Sequence, residues 1–594
     1  MPPESDTLVC PHGARCGGCA FLGVPYPEQL ERKHALVHSA VSRYPELSGL
    51  RVAPVAGATP TVSYRVRAKL VFGEGGALGL FERDSHAVVD IPECRVLAPA
   101  LSRVADAARR VFKDRGPPLD GLDLRLVDDG VLVTLIAQRG TALPDLKRLG
   151  SALCAESKDV RSVSASFREA GAATVLGTNH VLLSGNEVER HHLLEKGPYH
   201  LAAPGAFTQA HLGQANAAHA KIELALKQLG AKRVLELYAG SGALSLRLAG
   251  AGFTMTAVEA FAPALVQAER AAREQDLKLH TVSGQAERVL ADMSVSEAKF
   301  DALIVNPPRR GLSVEVRRAA AALEPEGIVY MSCDPATLAR DLAHLCLLGY
   351  AAEEVGPFDM IPHSAAVECL VVARRAPLPT PRVLYENELV IAVSKSGFEP
   401  ATREPGFSSS LADRVRLVPG AGDAVPLASQ HLVQDSSGVC LFARTARALP
   451  ELEQAFAGGT QSFIALARGI SHKRGRIRRP VREGRRVVPG SMRYLREGVR
   501  AGHSLLTIWP ERATPGQLRQ LLASVGHPVL GDTRFGDPGS NTFFEHRHGL
   551  DRAFLHCSAV SLAFESSHVS IEAPLPGELR AVLESSSEQT APPS

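Results

Sequence analysis

The sequence predicts an α/β protein built on a doubly wound, mainly parallel sheet. A cysteine-rich segment and a β-rich region precede this sheet, and a second, α+β unit follows it. Three observations lead there. Short apolar runs alternate with helical stretches between 202 and 375, and a glycine-rich turn joins the first of these runs to a helix. The proline-rich stretch Ala376-Pro377-Leu378-Pro379-Thr380-Pro381 marks a boundary. The third observation is length, because 594 residues exceed what one hydrophobic core accommodates.

Taken in order, residues 1–50 hold three cysteines and then a helical stretch. Residues 51–201 read as a β-rich region. Tyr64 to Phe72 alternates basic and apolar side chains as a half-buried strand does, and Val131 to Ile136 is a second strand. Within 202–375, Val234 to Tyr238, Thr254 to Glu259, Ala302 to Val305 and Ile328 to Ser332 are strands apolar enough to be covered on both faces. Residues 376–382 form the linker, 383–580 a mixed α/β unit, and 581–594 a disordered tail.

Apolar residues make up 45% and charged residues 22%, an ordinary globular balance. The first residues, Met1 to Asp6, are polar and acidic, unlike a secretory signal, and no apolar run spans a bilayer. A cytoplasmic protein with no membrane partner and no obligate protein partner is expected. Net charge is only +3, but Arg468 to Arg500 holds twelve Lys/Arg against two Glu. That stretch is either a phosphate-contacting surface or a solvated face.

Glu236 to Gly242 lies between a strand and a helix, where glycines such as Gly240 let backbone approach a ligand. Glu259 ends the next strand, in position to accept hydrogen bonds from a ribose diol. No Lys-Ser/Thr follows the glycines, so this is not a phosphate-gripping loop. Glu236 favours a cofactor with a positive or neutral centre, such as a sulfonium.

Asn306-Pro307-Pro308-Arg309-Arg310-Gly311 follows a buried strand, and Asn306 carries both a donor and an acceptor for a planar base edge. Ser332-Cys333-Asp334-Pro335 follows the next strand. A cysteine there, ahead of a helix, meets a field that favours its thiolate, with Arg309 and Arg340 as candidate helpers. The plain alternative is a small buried hydrophobe. Glu368, leading into the apolar run Cys369 to Ala373, is a candidate general base or else a surface charge at a strand end. Cys10, Cys16 and Cys19, with Cys94, offer four thiolates. These suit either a tetrahedral zinc or a four-iron cluster, and their chemistry leaves both open.

In their order, Phe207-Thr208-Gln209, Glu236–Gly242, Asn306–Arg309, Ser332–Pro335 and His363…Glu368 resemble the RNA 5-methyluridine (uridine-C5) methyltransferases, the TrmA/RlmC/RlmD group. The resemblance covers residues 8 to 375, and Asn306 is most like the RlmC branch. It implies a Rossmann-like class I methyltransferase domain that binds S-adenosylmethionine through Gln209, Tyr238, Gly240, Glu259 and Asn306. It also implies Cys333 as nucleophile, Glu368 as base, and a [4Fe–4S] cluster on Cys10, Cys16, Cys19 and Cys94. The expected chemistry is addition of a thiolate to C6 of uracil, which turns C5 into an enolate-like carbon able to take a methyl group. RNA is the expected partner, with 23S rRNA as target. Asp334 replaces a usual Asn, His211 a frequent Asn and Ala366 a frequent His. The start of the chain near Cys10 suggests that no further RNA-binding barrel precedes it.

Val383 to Lys395, Gly526 to Asp532 and Phe554 to Cys557 resemble RluA-type pseudouridine synthases. In that family's pattern, anchoring on Ser436-Ser437-Gly438 puts Val433 at the catalytic Asp, and shifting to match His431 puts Gln434 there. Phe463 matches the base-stacking tyrosine, and Gln517-Leu518-Arg519 is the remnant of a longer motif. A synthase-like domain without synthase activity, kept for RNA binding, is therefore expected. Two rivals stand beside this reading. One is an active or bifunctional pseudouridine synthase using Asp435, and the other is a non-catalytic RNA-binding factor.

Overall fold

The computed structural model describes residues 7–83, 85–113, 119–169, 180–205, 208–296, 298–484, 486–564 and 567–587. Helix α1 (Tyr26–Val41) opens it after the cysteine-bearing loop. Its buried stripe runs Gln29, Lys33, Val37, Ala40 and Val41, so one helical face begins polar and ends apolar.

The central region is a seven-stranded sheet in the order 88–90, 78–81, 67–72, 119–127, 130–138, 160–168 and 180–185. Helices Pro99–Phe112 and Leu143–Glu156 pack on it through an apolar face that includes Leu101, Val104, Leu146 and Leu153.

The doubly wound unit follows. Its strands are β1 (Arg233–Leu237), β2 (Thr254–Glu259), β3 (Leu279–Ser283), β4 (Ala302–Val305), β5 (Gly327–Ser332), β6 (Tyr350–Phe358) and β7 (Glu368–Arg375). Helices α2 (Leu212–Gln228), α3 (Ala243–Gly250), α4 (Ala262–Glu274), α5 (Val314–Ala322) and α6 (Pro335–Leu347) flank them. The order across the sheet is β3-β2-β1-β4-β5-β7-β6. All neighbours are parallel except β7, which runs against both β5 and β6. Every residue of β4 and β5 is buried, as their unbroken apolar sequence requires. The order reverses direction between β1 and β4, and ligands bind outside the carboxyl ends of strands at such a point.

Two expectations change here. Arg51–Val52, expected to open the central region, pairs in parallel with β6 and extends the doubly wound sheet. Helix α1 packs on α6, and Lys33 and Asp359 form a fully buried ion pair at 2.5 Å. The tail expected from 581 is helical as far as Ser587, and residues 588–594 lie outside the described residues.

Beyond the linker lies a ten-stranded mixed sheet. Its far edge is the hairpin β8 (Arg474–Glu483) and β9 (Arg486–Arg500), followed by β10 (His503–Arg512). Ile477, Val481 and Met492 turn inward against Leu518, Leu521 and Leu522 of α7 (Pro515–Ala523). The alternate residues Arg474, Arg476, Arg478 and Arg482 are exposed. Among the described residues no helix is long and apolar enough to cross a membrane.

Candidate active site

The carboxyl ends of β1, β2 and β4 stand side by side where the strand order reverses, at the crevice open α/β sheets use for ligands. Tyr238, directly after β1, has φ +61°. A side chain held in that left-handed region costs about 1–2 kcal/mol, the kind of strain stored at functional sites. Burial keeps its phenol protonated, well above the usual range. Gly240 (φ +56°) turns its N–H onto Glu259 Oε2 at 3.0 Å, and Phe261 N–H donates to Glu259 Oε1 at 2.9 Å. The carboxylate ending β2 is thus fixed over the turn that ends β1, with lone pairs still open. Gly242 starts α3 at φ +70°, and a Cβ there would lie 2.6 Å from Ala268 Cβ of α4. Only glycine permits that approach.

Asn306 N–H bonds Leu237 O at 3.4 Å, which joins the end of β4 to that of β1. The side chain is half-buried. Gln209 stands on a segment held to the central region by the Val66 N–Ala210 O bond of 3.0 Å. No hydrogen bond joins it to the other four cofactor candidates among the described residues, and Phe207, its neighbour in the motif, lies outside them. His211, in place of a frequent Asn, is buried and caps α2 by accepting from Gln214 N. Glu236 does not face the crevice. It is 2% exposed and accepts from Ser245 Oγ, bracing β1 against α3, and burial pushes its carboxyl up to about 7.

The candidate nucleophile and base are brought together by strand register. Ser332, the last residue of β5, is paired with Cys369 of the antiparallel β7. Cys333 and Glu368 are each one residue beyond that pair, so both emerge at the same edge of the sheet. Glu368 is 6% exposed, and burial alone pushes its carboxyl up to about 8. Cys333 is half-buried. Burial raises its thiol first and the Glu368 charge second, while Arg309 lowers it. The expected thiolate-favouring field is therefore outweighed in the resting protein. Asp334 contributes to this, because it caps α6 by accepting from Ala336 N and Thr337 N at 3.0 Å each, and its charge also raises the thiol.

Arg340 is not a helper of Cys333. It is 8% exposed and ion-paired with Asp341 and Asp551. His363 is buried, with Nδ1 3.2 Å from Gln29 Nε2 and Nε2 3.0 Å from Thr61 O. It fastens the loop ahead of Glu368 to α1 and to the central region.

Cys10, Cys16, Cys19 and Cys94 line one cavity of about 40 Å³ together with His12 and Leu80. Gly17 N bonds Phe81 O at 3.0 Å, which lays their loop on strand 78–81. Burial and the charge of neighbouring thiolates raise Cys16 and push Cys19 up to about 11. The four expected ligands therefore share a cavity. Among the described residues, however, no three His, Cys, Asp or Glu side chains converge at metal-holding geometry.

In the carboxyl-terminal unit, Phe463 is fully buried in the core, so it cannot stack on a base as its matched position suggested. Asp435 is held by Arg519 at 2.8 Å, and Arg519 also pairs with Asp532.

A family model described as tRNA (Uracil-5-)-methyltransferase matches residues 199–376. An uncharacterized RNA methyltransferase of Geobacter sulfurreducens is 30% identical over 382 residues, covering 60% of this chain and 75% of its own. Another, from Listeria innocua, is 27% identical over 394 residues, covering 63% and 85%. Among solved structures, the Pyrococcus abyssi tRNA (uracil-54, C5)-methyltransferase in complex with S-adenosyl-L-homocysteine is similar at a TM-score of 0.48. It is 24% identical, with 60% of this chain and 86% of that one covered. Human RNA pseudouridylate synthase domain containing 1 gives a TM-score of 0.28 and 21% identity over 34% of this chain and 86% of its own. Fold, crevice and sequence relatives define an RNA methyltransferase. The chain belongs to the RNA methyltransferases, and its residues 199–376 carry the pattern of the tRNA (Uracil-5-)-methyltransferase family.

Proposed function

We propose that the chain methylates C5 of a uridine in structured RNA, with 23S rRNA as target, through a transient bond between Cys333 Sγ and C6 of the base. The observation that carries this is the β5–β7 register, which brings Cys333 and Glu368 out at one edge beside the crevice of Tyr238, Gly240, Glu259 and Asn306. S-adenosylmethionine in that crevice supplies an electrophilic methyl group. Gln209, Tyr238, Gly240, Glu259 and Asn306 hold it, Glu259 through the ribose hydroxyls.

Cys333, its proton passed to water, would add to C6 as the thiolate; the C5–C6 π pair would move to C5, which would take the donor's methyl group and leave the donor sulfur as a neutral thioether. Glu368 then removes the C5 proton as that C–H pair re-forms the C5–C6 double bond and the sulfur departs. Arg309 offsets the two nearby negative charges. The test is labelled S-adenosylmethionine with unmodified ribosomal RNA and transfer RNA. Label is expected on C5 of uridine in ribosomal RNA. Label on another atom, or none with either RNA, would refute the reading.

The cysteine cavity suits a [4Fe–4S] cluster in its donor set, four sulfurs from Cys10, Cys16, Cys19 and Cys94 around one buried space. Its role is to fix the 10–19 loop on strand 78–81. Protein purified without oxygen is expected to contain about four iron and four sulfide per chain. Zinc in their place would exclude the cluster.

The carboxyl-terminal unit serves as an RNA-holding surface in a cytoplasmic enzyme. Arg474, Arg476, Arg478 and Arg482 line the outer face of β8. Arg493 of β9 is paired with Arg476 on one side and with Trp509 of β10 on the other. Charge beside a half-exposed aromatic ring suits phosphates and unstacked bases.

A further inference from the structure

The loop carrying Asn306 and Arg309 is gripped from behind by a buried charge cluster, and one member of that cluster comes from the carboxyl-terminal unit. Asp341 of α6, fully buried, accepts Leu312 N–H and the Tyr330 hydroxyl at 2.7 Å each. Arg340 Nη2 donates to Arg310 O at 2.9 Å and to Leu312 O at 3.2 Å. Gly311 (φ +72°) is wedged between them, since a Cβ there would lie 2.6 Å from both Arg340 Nη2 and Asp341 Oδ2. These two side chains thus hold Arg310, Gly311 and Leu312, directly after Arg309, whose carbonyl accepts from Thr337 Oγ1 at 3.1 Å.

The charges in the grip do not balance within the methyltransferase unit. Arg317 of α5, 1% exposed, places a second guanidinium 3.2 Å from Asp341. Two buried cations then face one buried anion. The missing negative charge is Asp551, whose Oδ2 is 3.0 Å from Arg340 Nε and 4.0 Å from Arg317 Nη2. The same unit seals the cluster from water. Phe398 lies over the Arg317 guanidinium at 4.8 Å and stacks on His344 at 5.4 Å, and Gly406 O accepts from Arg318 Nε at 2.8 Å. A buried cation stripped of its partner reorients or draws in water. For Arg340 that means releasing Arg310 O and Leu312 O.

We propose that Asp551 is a positioning residue for methyl transfer: the carboxyl-terminal unit supplies the anion that lets Arg340 hold the 306–312 loop, and with it Asn306 and Arg309, at the crevice. This rests on the methyltransferase reading above. It gives the fused unit a duty in the reaction that needs no chemistry of its own.

The test uses the full chain with Asp551→Asn, with Asp551→Glu, and with Asp551→Asn combined with Arg317→Met, which removes the surplus cation. Amide hydrogen exchange over 309–313 is expected to quicken at least about tenfold in Asp551→Asn, with the amides of β1 and β4 unchanged. Loss of Arg309 from its place also moves the pH midpoint of Cys333 alkylation upward. The Glu variant and the double variant return both readouts towards the parent chain. Exchange over 309–313 within about twofold of the parent, whatever happens to melting, would reduce Asp551 to a fastener between units and overturn the proposal. Uniformly faster exchange throughout the methyltransferase unit would overturn it too. Should the parent chain methylate no RNA, the functional reading fails, while the exchange data still decide whether Asp551 holds the loop.

Discussion

A chain carrying Glu368→Gln is expected to stop with RNA bound covalently, and one carrying Cys333→Ala is expected never to form that bond. Removing the sulfur removes the proposed nucleophile, so turnover should fall below detection. Removing the base leaves addition and methyl transfer open but blocks proton removal, a loss of roughly 10²–10⁴-fold in turnover. The Gln variant should therefore run on a denaturing gel as protein shifted by RNA, and the shift should vanish when Cys333→Ala is added. A Gln variant that turns over like the parent would end Glu368's role.

The same carboxyl has a pH signature. Its proton is lost near about 8 in the folded chain, against an ordinary value of 4.5. Between those values the folded state holds more protons than the unfolded one, so Glu368 lowers stability as pH rises. At pH 5 the Gln variant and its parent should denature alike in urea. At pH 9 the variant should be the more stable, by on the order of a few kcal/mol. Activity of the parent should climb towards pH 8 as base and thiolate form.

The second large effect is structural. Lys33→Met is expected to destabilise the chain by about 3–5 kcal/mol, because it strands Asp359 in a site where both side chains are fully buried. Asp359 also takes the Tyr26 hydroxyl at 2.6 Å, and Lys33 also donates to Ile361 O at 3.1 Å. The pair therefore organises the whole approach to Glu368. Replacing both residues, Lys33→Met with Asp359→Leu, should recover much of the loss. Urea unfolding midpoints measure this, and a loss below about 1 kcal/mol for Lys33→Met would mean that water reaches the pair.

The parts of the site that sequence made legible were local ones. Alternating apolar runs announced β1, β2, β4 and β5, and a residue directly after such a run must stand at the carboxyl edge. This is why Glu259, Asn306 and Cys333 could be named, whereas Tyr238 was read as the end of its strand and entered the site by resemblance. Glu368 could be named as a carboxylate leading into an apolar run, but nothing local says that β7 runs against β5, and that direction is what brings it to Cys333. Long-range partners stayed hidden. The ion pair of Arg340 with Asp551 joins residues from two folding units, and Lys33 finds Asp359 across most of the methyltransferase region. Glu236 and Phe463 were misread for one reason: sequence shows that a side chain could meet a ligand, and only packing shows that it already meets the core.

Because β7 lies antiparallel between β5 and β6, the carboxylate's facing is fixed by counting. A one-residue slip of β7 against β5 would turn every side chain of β7 to the opposite side and set Val367 or Cys369 where Glu368 now stands beside Cys333.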